Sequence, residues 1–250
     1  MTETRPRVLL LPGSVLPAAP AYDALIAALG DRVEAVAKDL EVYREDIPPD
    51  DYSLDTEVAG VLREAADRGW DTFHLVGYSG GGAAALACAT HLPQRLRSLA
   101  VLEPAWAGSW GWSEAEAALW RAYDAAAELP PDQLMPVFTR LGVRAGVELA
   151  PPPGPPPPWM AKRPAGIHAF LRTFRSYDLD RAALAAFDRP VYLALGGLSN
   201  PDQYEEIATR LGTVLPQFWV EVFEKRHHFD PPHRIEPERL ARSLLAHWEL

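Results

Sequence analysis

Apolar residues form two kinds of segment along this chain. Short continuous runs such as 8–11 and 99–102 are typical of strands buried on both faces of a sheet. Longer segments carry apolar residues three and four positions apart, as Val58, Val61 and Leu62 do, and this spacing predicts helices. We predict strands at 7–11, 33–37, 72–76, 97–102, 190–195 and 218–223. We predict helices at 22–29, 54–68, 80–91, 114–128, 131–141, 166–177, 201–211 and 237–248.

Strands and helices that alternate in this way are joined by right-handed crossovers. The pattern therefore predicts an α/β fold, with a mostly parallel sheet of about six strands and helices on both faces. The alternation lapses over 106–186, where helical patterns occur and no strand is indicated. We expect a core formed by 1–105 and 187–250, and a helical lid insertion at 106–186.

A proline tract at 151–158, interrupted only by Gly154, divides the insertion. Proline removes backbone donors and favours an extended polyproline II conformation. We expect a stiff, exposed connector. A ligand for a proline-reading module is the alternative, but no basic residue of the kind such modules read flanks the tract.

Composition limits the partners and the compartment. The chain has 250 residues, of which 48% are hydrophobic, and this is enough for one substantial core. Its formal net charge of -10 argues against nucleic acid and anionic membrane surfaces as partners. Cys88 is the only cysteine, which fits a reducing compartment, and the first apolar run is too short for a signal peptide or a membrane span. We expect a cytoplasmic monomer or homodimer that acts on a small molecule.

The motif Gly77-Tyr78-Ser79-Gly80-Gly81 lies between a predicted strand and a predicted helix. A serine on such a sharp turn is held in a strained backbone conformation, and small residues are needed two positions before and after it. The turn exposes the hydroxyl above the sheet and points the N-terminus of the helix toward it. These features indicate a reactive serine at position 79.

This arrangement resembles the nucleophile turn of the α/β-hydrolase family, and the resemblance covers nearly the whole chain except its middle third. It implies a serine nucleophile followed in chain order by an acid and a histidine. His227 and His228 come directly after the last predicted strand. The run His228-Phe229-Asp230-Pro231 matches the family pattern of a histidine, an apolar residue and a proline-bearing turn, so His228 is the expected base.

The acid of the implied triad is harder to locate. Most family members carry an aspartate after the penultimate strand, where this chain has Ser199 and Asn200, neither of which can hold a negative charge. A minority carry the acid after the preceding strand, where this chain has Glu103. Glu103 is therefore the expected acid, with Asp202, at the start of a predicted helix, as the alternative.

The segment Pro12-Gly13-Ser14 resembles the family's oxyanion loop, with proline in place of the usual histidine. Because the donor is a backbone N–H, this departure need not affect the role. A plain strand-end turn, which Pro-Gly favours by itself, is the alternative. The resemblance implies that Ser14 and Gly80 supply the two oxyanion donors.

Aromatic residues cluster after the strand at 97–102. We expect Tyr78, Trp106 and Trp110 to line the substrate pocket, with Trp120 and Trp159 of the insertion near its approach. Ordinary packing between lid and sheet is the alternative for each tryptophan. A pocket of this kind suits an apolar acyl or alcohol group.

No cofactor and no metal are expected. The cluster His227, His228, Asp230 and His233 has a spacing that matches no metal-ligand pattern, and His233 is expected to be a surface or capping residue. The expected function is a serine hydrolase that cleaves a small apolar ester, thioester or lactone through an acyl-enzyme on Ser79. The alternatives are a lyase, cyclase or acyl transferase on the same scaffold, or a ligand-binding module.

Overall fold

The computed structural model of the protein describes residues 5–150 and 154–249. Within these ranges six strands form a single sheet: β1 (Arg7–Leu11), β2 (Glu34–Ala37), β3 (Phe73–Tyr78), β4 (Leu96–Leu102), β5 (Val191–Gly196) and β6 (Phe218–Phe223). They lie in the order β2-β1-β3-β4-β5-β6, and every neighbouring pair is parallel. The prediction of a parallel sheet of about six strands is confirmed.

In the described part of the chain, ten α-helices connect and cover the strands: α1 (Ala18–Leu29), α2 (Leu54–Asp67), α3 (Gly80–His91), α4 (Glu114–Ala127), α5 (Pro131–Leu141), α6 (Arg163–Ser176), α7 (Arg181–Ala185), α8 (Pro201–Gly212), α9 (Pro232–Ile235) and α10 (Pro237–His247). Helices α1 and α6 begin earlier than the sequence pattern indicates. The short helices α7 and α9 were not predicted, because neither is long enough to show a helical repeat of apolar residues.

The central strands bury both of their faces, which explains their continuous apolar sequences. In β1, Leu9 and Leu11 join the core on one face of the sheet, while Val8 and Leu10 join the core on the other. Helices α1 and α10 cover the second face, and α2, α3 and α8 cover the first. Because all six strands are parallel, their carboxyl ends meet at one edge of the sheet.

Between β4 and β5 the chain forms α4, α5, α6 and α7, and their apolar residues extend the core on the first face. Within the described part of this insertion the only β pairing is an isolated bridge between Val143 and Ser199. The predicted proline connector lies outside the described residues over 151–153, and residues 154–158 are exposed. The division into a core and a lid stays a prediction.

Candidate active site

Ser79 lies on the turn between β3 and α3, and its backbone adopts the left-handed region with φ 54° and ψ −118°. A non-glycine residue occupies this region only when its surroundings hold it there. The Ser79 N–H donates to the carbonyl oxygen of Leu102 at 3.1 Å, and the Ala105 N–H donates to the Ser79 carbonyl at 2.9 Å. The end of β4 therefore fixes the strained turn.

Two glycines allow the turn to pack this closely. A Cβ on Gly77 would overlap the carbonyl oxygen of Gly81, and a Cβ on Gly81 would overlap the carbonyl oxygens of Leu11 and Pro12. The Gly81 N–H also donates to the Pro12 carbonyl at 3.1 Å. Because no side chain fits at either position, the serine turn lies directly against the loop that follows β1.

Three side chains that are distant in sequence form a hydrogen-bonded series at the carboxyl edge of the sheet. The Ser79 Oγ lies 2.9 Å from His228 Nε2, and His228 Nδ1 lies 3.3 Å from Glu103 Oε2. All three residues are at least 95% buried. This is the order of hydroxyl, imidazole and carboxylate in which a base can take the proton of a serine and an acid can orient the base.

Glu103 reaches the imidazole from the end of β4 because the end of β5 holds its carboxylate. Glu103 Oε1 accepts a hydrogen bond of 2.8 Å from the Gly196 N–H, and the Glu103 N–H donates to the Ala194 carbonyl at 3.1 Å. Its backbone, like that of Ser79, has a positive φ, here 46°. Asp202, the alternative acid, is exposed in the first turn of α8 and makes no hydrogen bond with His228 among the described residues.

The loop that carries His228 is held on several sides. The Tyr78 hydroxyl donates to the His228 carbonyl oxygen, and the ring of Tyr204 stacks on the imidazole with centroids 4.6 Å apart and 17° between the planes. Arg226 pairs with Asp230 at 2.6 Å across the same loop. These contacts limit the positions that the imidazole can adopt.

The neighbouring histidines take other roles. The His227 ring accepts a hydrogen bond from the Phe229 N–H at 3.2 Å, and burial lowers the pKa of His227. The prediction that His233 is a surface or capping residue is wrong: it is fully buried, with its ring near those of Tyr22 and Tyr78. Burial lowers the pKa of His233 to about 3, so its ring is neutral at ordinary pH.

Ser14 and Gly80 both lie close to Ser79: Gly80 follows it in the chain, and Ser14 lines the same cavity. Ser14 is directly against Gly80, because a Cβ on Gly80 would be 2.6 Å from the Ser14 Oγ. Within the described residues, neither the Ser14 N–H nor the Gly80 N–H donates a hydrogen bond to the protein. Unpaired backbone donors of this kind, one in the loop after β1 and one at the start of α3, can stabilise a negative oxygen that develops next to the serine.

The sequence matches the model of a known family over almost its full length. A model of the alpha/beta hydrolase family covers residues 8–243. The chain belongs to the alpha/beta hydrolase family. Among curated proteins, none matches it in sequence.

Several solved structures share the alpha/beta hydrolase fold of this chain at low sequence identity. A bacterial membrane phospholipase A is 21% identical with a TM-score of 0.72, over 98% of this chain and 79% of that one. A thermophilic esterase from Thermogutta terrifontis is 18% identical with a TM-score of 0.67, over 98% and 90% of the two chains. A carboxylesterase from Bacillus subtilis is 17% identical with a TM-score of 0.67, over 98% and 84%. At these identities the likeness shows the fold.

A cavity opens at Ser79 and His228, between the sheet of this alpha/beta hydrolase and its helices α4, α5 and α6. It encloses about 410 Å³ of empty space, its mouth included. Its apolar walls are formed mainly by aromatic and aliphatic side chains: Trp120, Tyr123, Phe138, Ile167, Phe170, Leu171, Phe174, Tyr204 and Phe229. No Asp, Glu, Lys or Arg side chain lines the described cavity.

The amide of Gln203 also lines this cavity, but its nitrogen and its oxygen both form hydrogen bonds within the protein. Its Nε2 donates to the Ala105 carbonyl at 2.8 Å, and its Oε1 accepts from the Tyr123 hydroxyl at 2.8 Å. Burial raises the pKa of Tyr123 above its usual range, so the phenol stays a neutral donor. This part of the cavity wall therefore favours an apolar ligand group over a polar one.

The expectation that Tyr78, Trp106 and Trp110 line the pocket needs correction, since none of the three borders the described cavity. Tyr78 packs against the core on the second face of the sheet, and its hydroxyl donates to the His228 carbonyl oxygen. Trp106 is 1% exposed and stacks on Phe174, a cavity residue, with ring centroids 5.4 Å apart. Trp110 packs against the backbone of Gly108.

The most extensive wall of the cavity was missed by sequence reasoning. Ile167, Phe170, Leu171 and Phe174 all lie on α6, and their spacing of three and four residues indicates one apolar helical face. That signal predicts a buried face, but it does not say whether the face covers a sheet or a cavity. Trp120 of the insertion lines the cavity and stacks on Trp112.

Neither a candidate metal site nor a membrane-spanning helix occurs in the described residues. Over 5–150 and 154–249, no three His, Cys, Asp or Glu side chains converge in a way that could hold a metal ion. Over the same ranges, no helix combines the length and apolar character needed to cross a membrane.

Proposed function

We propose that this alpha/beta hydrolase cleaves a neutral ester, thioester or lactone with a small apolar acyl group, through an acyl-enzyme on Ser79. The observation that supports this most directly is the continuous series Ser79 Oγ, His228 Nε2 and Glu103 Oε2, with separations of 2.9 and 3.3 Å. The fully occupied amide of Gln203 and the aromatic walls support an apolar acyl group.

In the proposed reaction, the Ser79 hydroxyl attacks the carbonyl carbon while His228 Nε2 takes its proton. Glu103 keeps the Nδ1–H of His228 directed at its carboxylate and stabilises the imidazolium that forms. The N–H groups of Ser14 and Gly80 donate to the negative oxygen of the tetrahedral intermediate. His228 then protonates the leaving alcohol or thiol, and a water molecule activated by the same imidazole releases the acid.

The size of the cavity predicts how activity depends on acyl length. We expect p-nitrophenyl acetate and butyrate to be hydrolysed with a higher kcat/KM than p-nitrophenyl decanoate and laurate, because the aromatic and aliphatic walls leave little free space beside Ser79. Ser79→Ala should abolish turnover of every ester. Ser199→Ala is the matched control, since Ser199 is also buried but its hydroxyl makes no hydrogen bond among the described residues.

The same panel separates the competing functions. Steady release of both nitrophenol and free acid supports hydrolysis. Transfer of the acyl group to an added alcohol in preference to water would instead assign an acyl transferase. No turnover on any ester, with tight binding of an apolar ligand, would assign a binding module and contradict the proposal.

A further inference from the structure

A tyrosine outside the catalytic series contacts the oxyanion loop. Tyr43 lies in the segment between β2 and α2, and its hydroxyl donates to the carbonyl oxygen of Ser14 at 2.7 Å. Burial raises the pKa of Tyr43 above its usual range, so the hydroxyl stays a proton donor. This hydrogen bond fixes the residue whose N–H is one of the two proposed oxyanion donors.

The first turn of α6 covers the ring of Tyr43. The Cζ atom of Arg163 lies 3.9 Å from the ring centroid, close enough for a strong cation–π contact. Arg163 is 4% exposed, and among the described residues its Nε has no hydrogen-bond partner and its guanidinium pairs with no carboxylate. One turn later, a Cβ on Gly166 would overlap the Tyr43 ring, so the helix backbone rests on the tyrosine.

A buried guanidinium without a carboxylate partner is costly, and a structural role in packing alone is met more cheaply by an apolar residue. Stacking on Tyr43 compensates part of that cost and holds the phenol in one orientation. The chain of contacts therefore runs from α6 through Tyr43 to Ser14. The same helix supplies Ile167, Phe170, Leu171 and Phe174 to the cavity wall.

We propose that Tyr43 and Arg163 are positioning residues for the oxyanion hole. Helix α6 holds the ring of Tyr43 in place through Arg163 and Gly166. Tyr43 in turn holds Ser14 so that the Ser14 N–H points at the developing oxyanion. This inference rests on the proposed hydrolase function. It links α6, which lines the cavity for the acyl group, to the Ser14 N–H, which would stabilise the transition state. An acyl group bound against α6 would therefore favour the ordered position of Ser14.

The test is Tyr43→Phe, which keeps the ring and the Arg163 stack and removes only the hydroxyl. Losing an oxyanion donor outright typically lowers turnover about 10²–10³-fold, so loosening one should lower kcat about tenfold. KM for p-nitrophenyl butyrate should stay within about twofold, because the hydroxyl does not face the cavity. The Ki of butylboronic acid, which forms a tetrahedral adduct on a reactive serine, should rise by the same factor as kcat falls.

Tyr192→Phe is the matched control. Tyr192 is buried, and its hydroxyl donates one hydrogen bond of 2.7 Å to Glu221, on β6 at the edge of the sheet. Both variants should lose similar thermal stability, and only Tyr43→Phe should lower kcat and weaken boronate binding. Arg163→Met should lower kcat in the same direction, because it removes the charge that holds the ring.

Two results would overturn the inference: a kcat for Tyr43→Phe equal to that of Tyr192→Phe, or a loss expressed in KM with boronate affinity unchanged. Failure of the hydrolase function itself has a separate signature. In that case the wild-type protein would not hydrolyse the esters at all, whereas a failure of the positioning role leaves wild-type turnover intact and Tyr43→Phe equally active.

Discussion

Replacing Glu103 by glutamine removes a negative charge from the site with almost no change in shape. The side-chain oxygen of the introduced glutamine can still accept the hydrogen bond from the Gly196 N–H, which Glu103 accepts at 2.8 Å. The new NH₂ group would then face His228 Nδ1. The imidazole would respond by placing its proton on Nε2, which could no longer accept the Ser79 proton.

The size of the effect follows from the distance of 3.3 Å between His228 Nδ1 and Glu103 Oε2. At an effective dielectric constant of about 20, a carboxylate at this distance stabilises an imidazolium by about 5 kcal/mol. A loss of this size from the transition state corresponds to about a 10³–10⁴-fold lower rate. We therefore expect Glu103→Gln to lower kcat/KM by about 10³–10⁴.

The assay is kcat/KM for p-nitrophenyl butyrate, measured beside a variant of the alternative acid. Asp202 is exposed and lies in the first turn of α8, so Asp202→Asn should stay within about twofold of the wild type. Thermal melts should show that both variants are folded. A Glu103→Gln variant within tenfold of the wild type, or a larger loss in Asp202→Asn, would refute the assignment of the acid.

Three further predictions follow from contacts around the site. Tyr204→Leu removes the ring stacked at 4.6 Å on His228 and should lower kcat about tenfold. Tyr204→Phe keeps the ring and should have a kcat near that of the wild type. Equal losses in the two variants would contradict a role for the stack. Because burial lowers the pKa of His233 to about 3, against about 6.5 when unfolded, its contribution to stability is complete above pH 6.5. That contribution falls by about 1.4 kcal/mol per pH unit as the pH falls from 6.5 toward 3. In urea unfolding, the free energy of unfolding of His233→Leu should therefore decline less steeply between pH 6.5 and 4 than that of the wild type. An unchanged slope would contradict this. Glu116 and Arg210 form a buried pair at 2.5 and 2.8 Å between α4 and α8, so Glu116→Ala should cost about 3–5 kcal/mol of unfolding free energy. The double variant Glu116→Leu/Arg210→Met should recover much of that loss, and a double variant as unstable as the single would count against the buried-charge explanation.

Local sequence signals were sufficient for the sheet and for the serine turn. Continuous apolar runs predict strands buried on both faces, and Gly77 and Gly81 are required by backbone packing that any such turn imposes. The positions of Glu103 and His228 follow from a topology in which the ends of β4 and β6 reach the same edge. The structure brings His228 to Ser79 and Glu103 to His228, and their catalytic roles stay proposals.

The cavity could not be predicted in the same way, because its walls depend on how the insertion packs. Trp106 and Trp110 are close to Glu103 in sequence, but Trp106 stacks behind Phe174 and Trp110 packs on Gly108. The burial of His233 was also missed, since it depends on rings that α1 and β3 bring to the short helix α9. Sequence distance is a poor guide to contacts between elements.

Labelling with a fluorophosphonate probe tests the central claim most directly. The account predicts that the probe reacts with the wild-type protein, that mass spectrometry of the digested protein locates the adduct on Ser79, and that Ser79→Ala and His228→Ala are not labelled. Labelling of Ser79→Ala equal to that of the wild type, or an adduct on another residue, would contradict it.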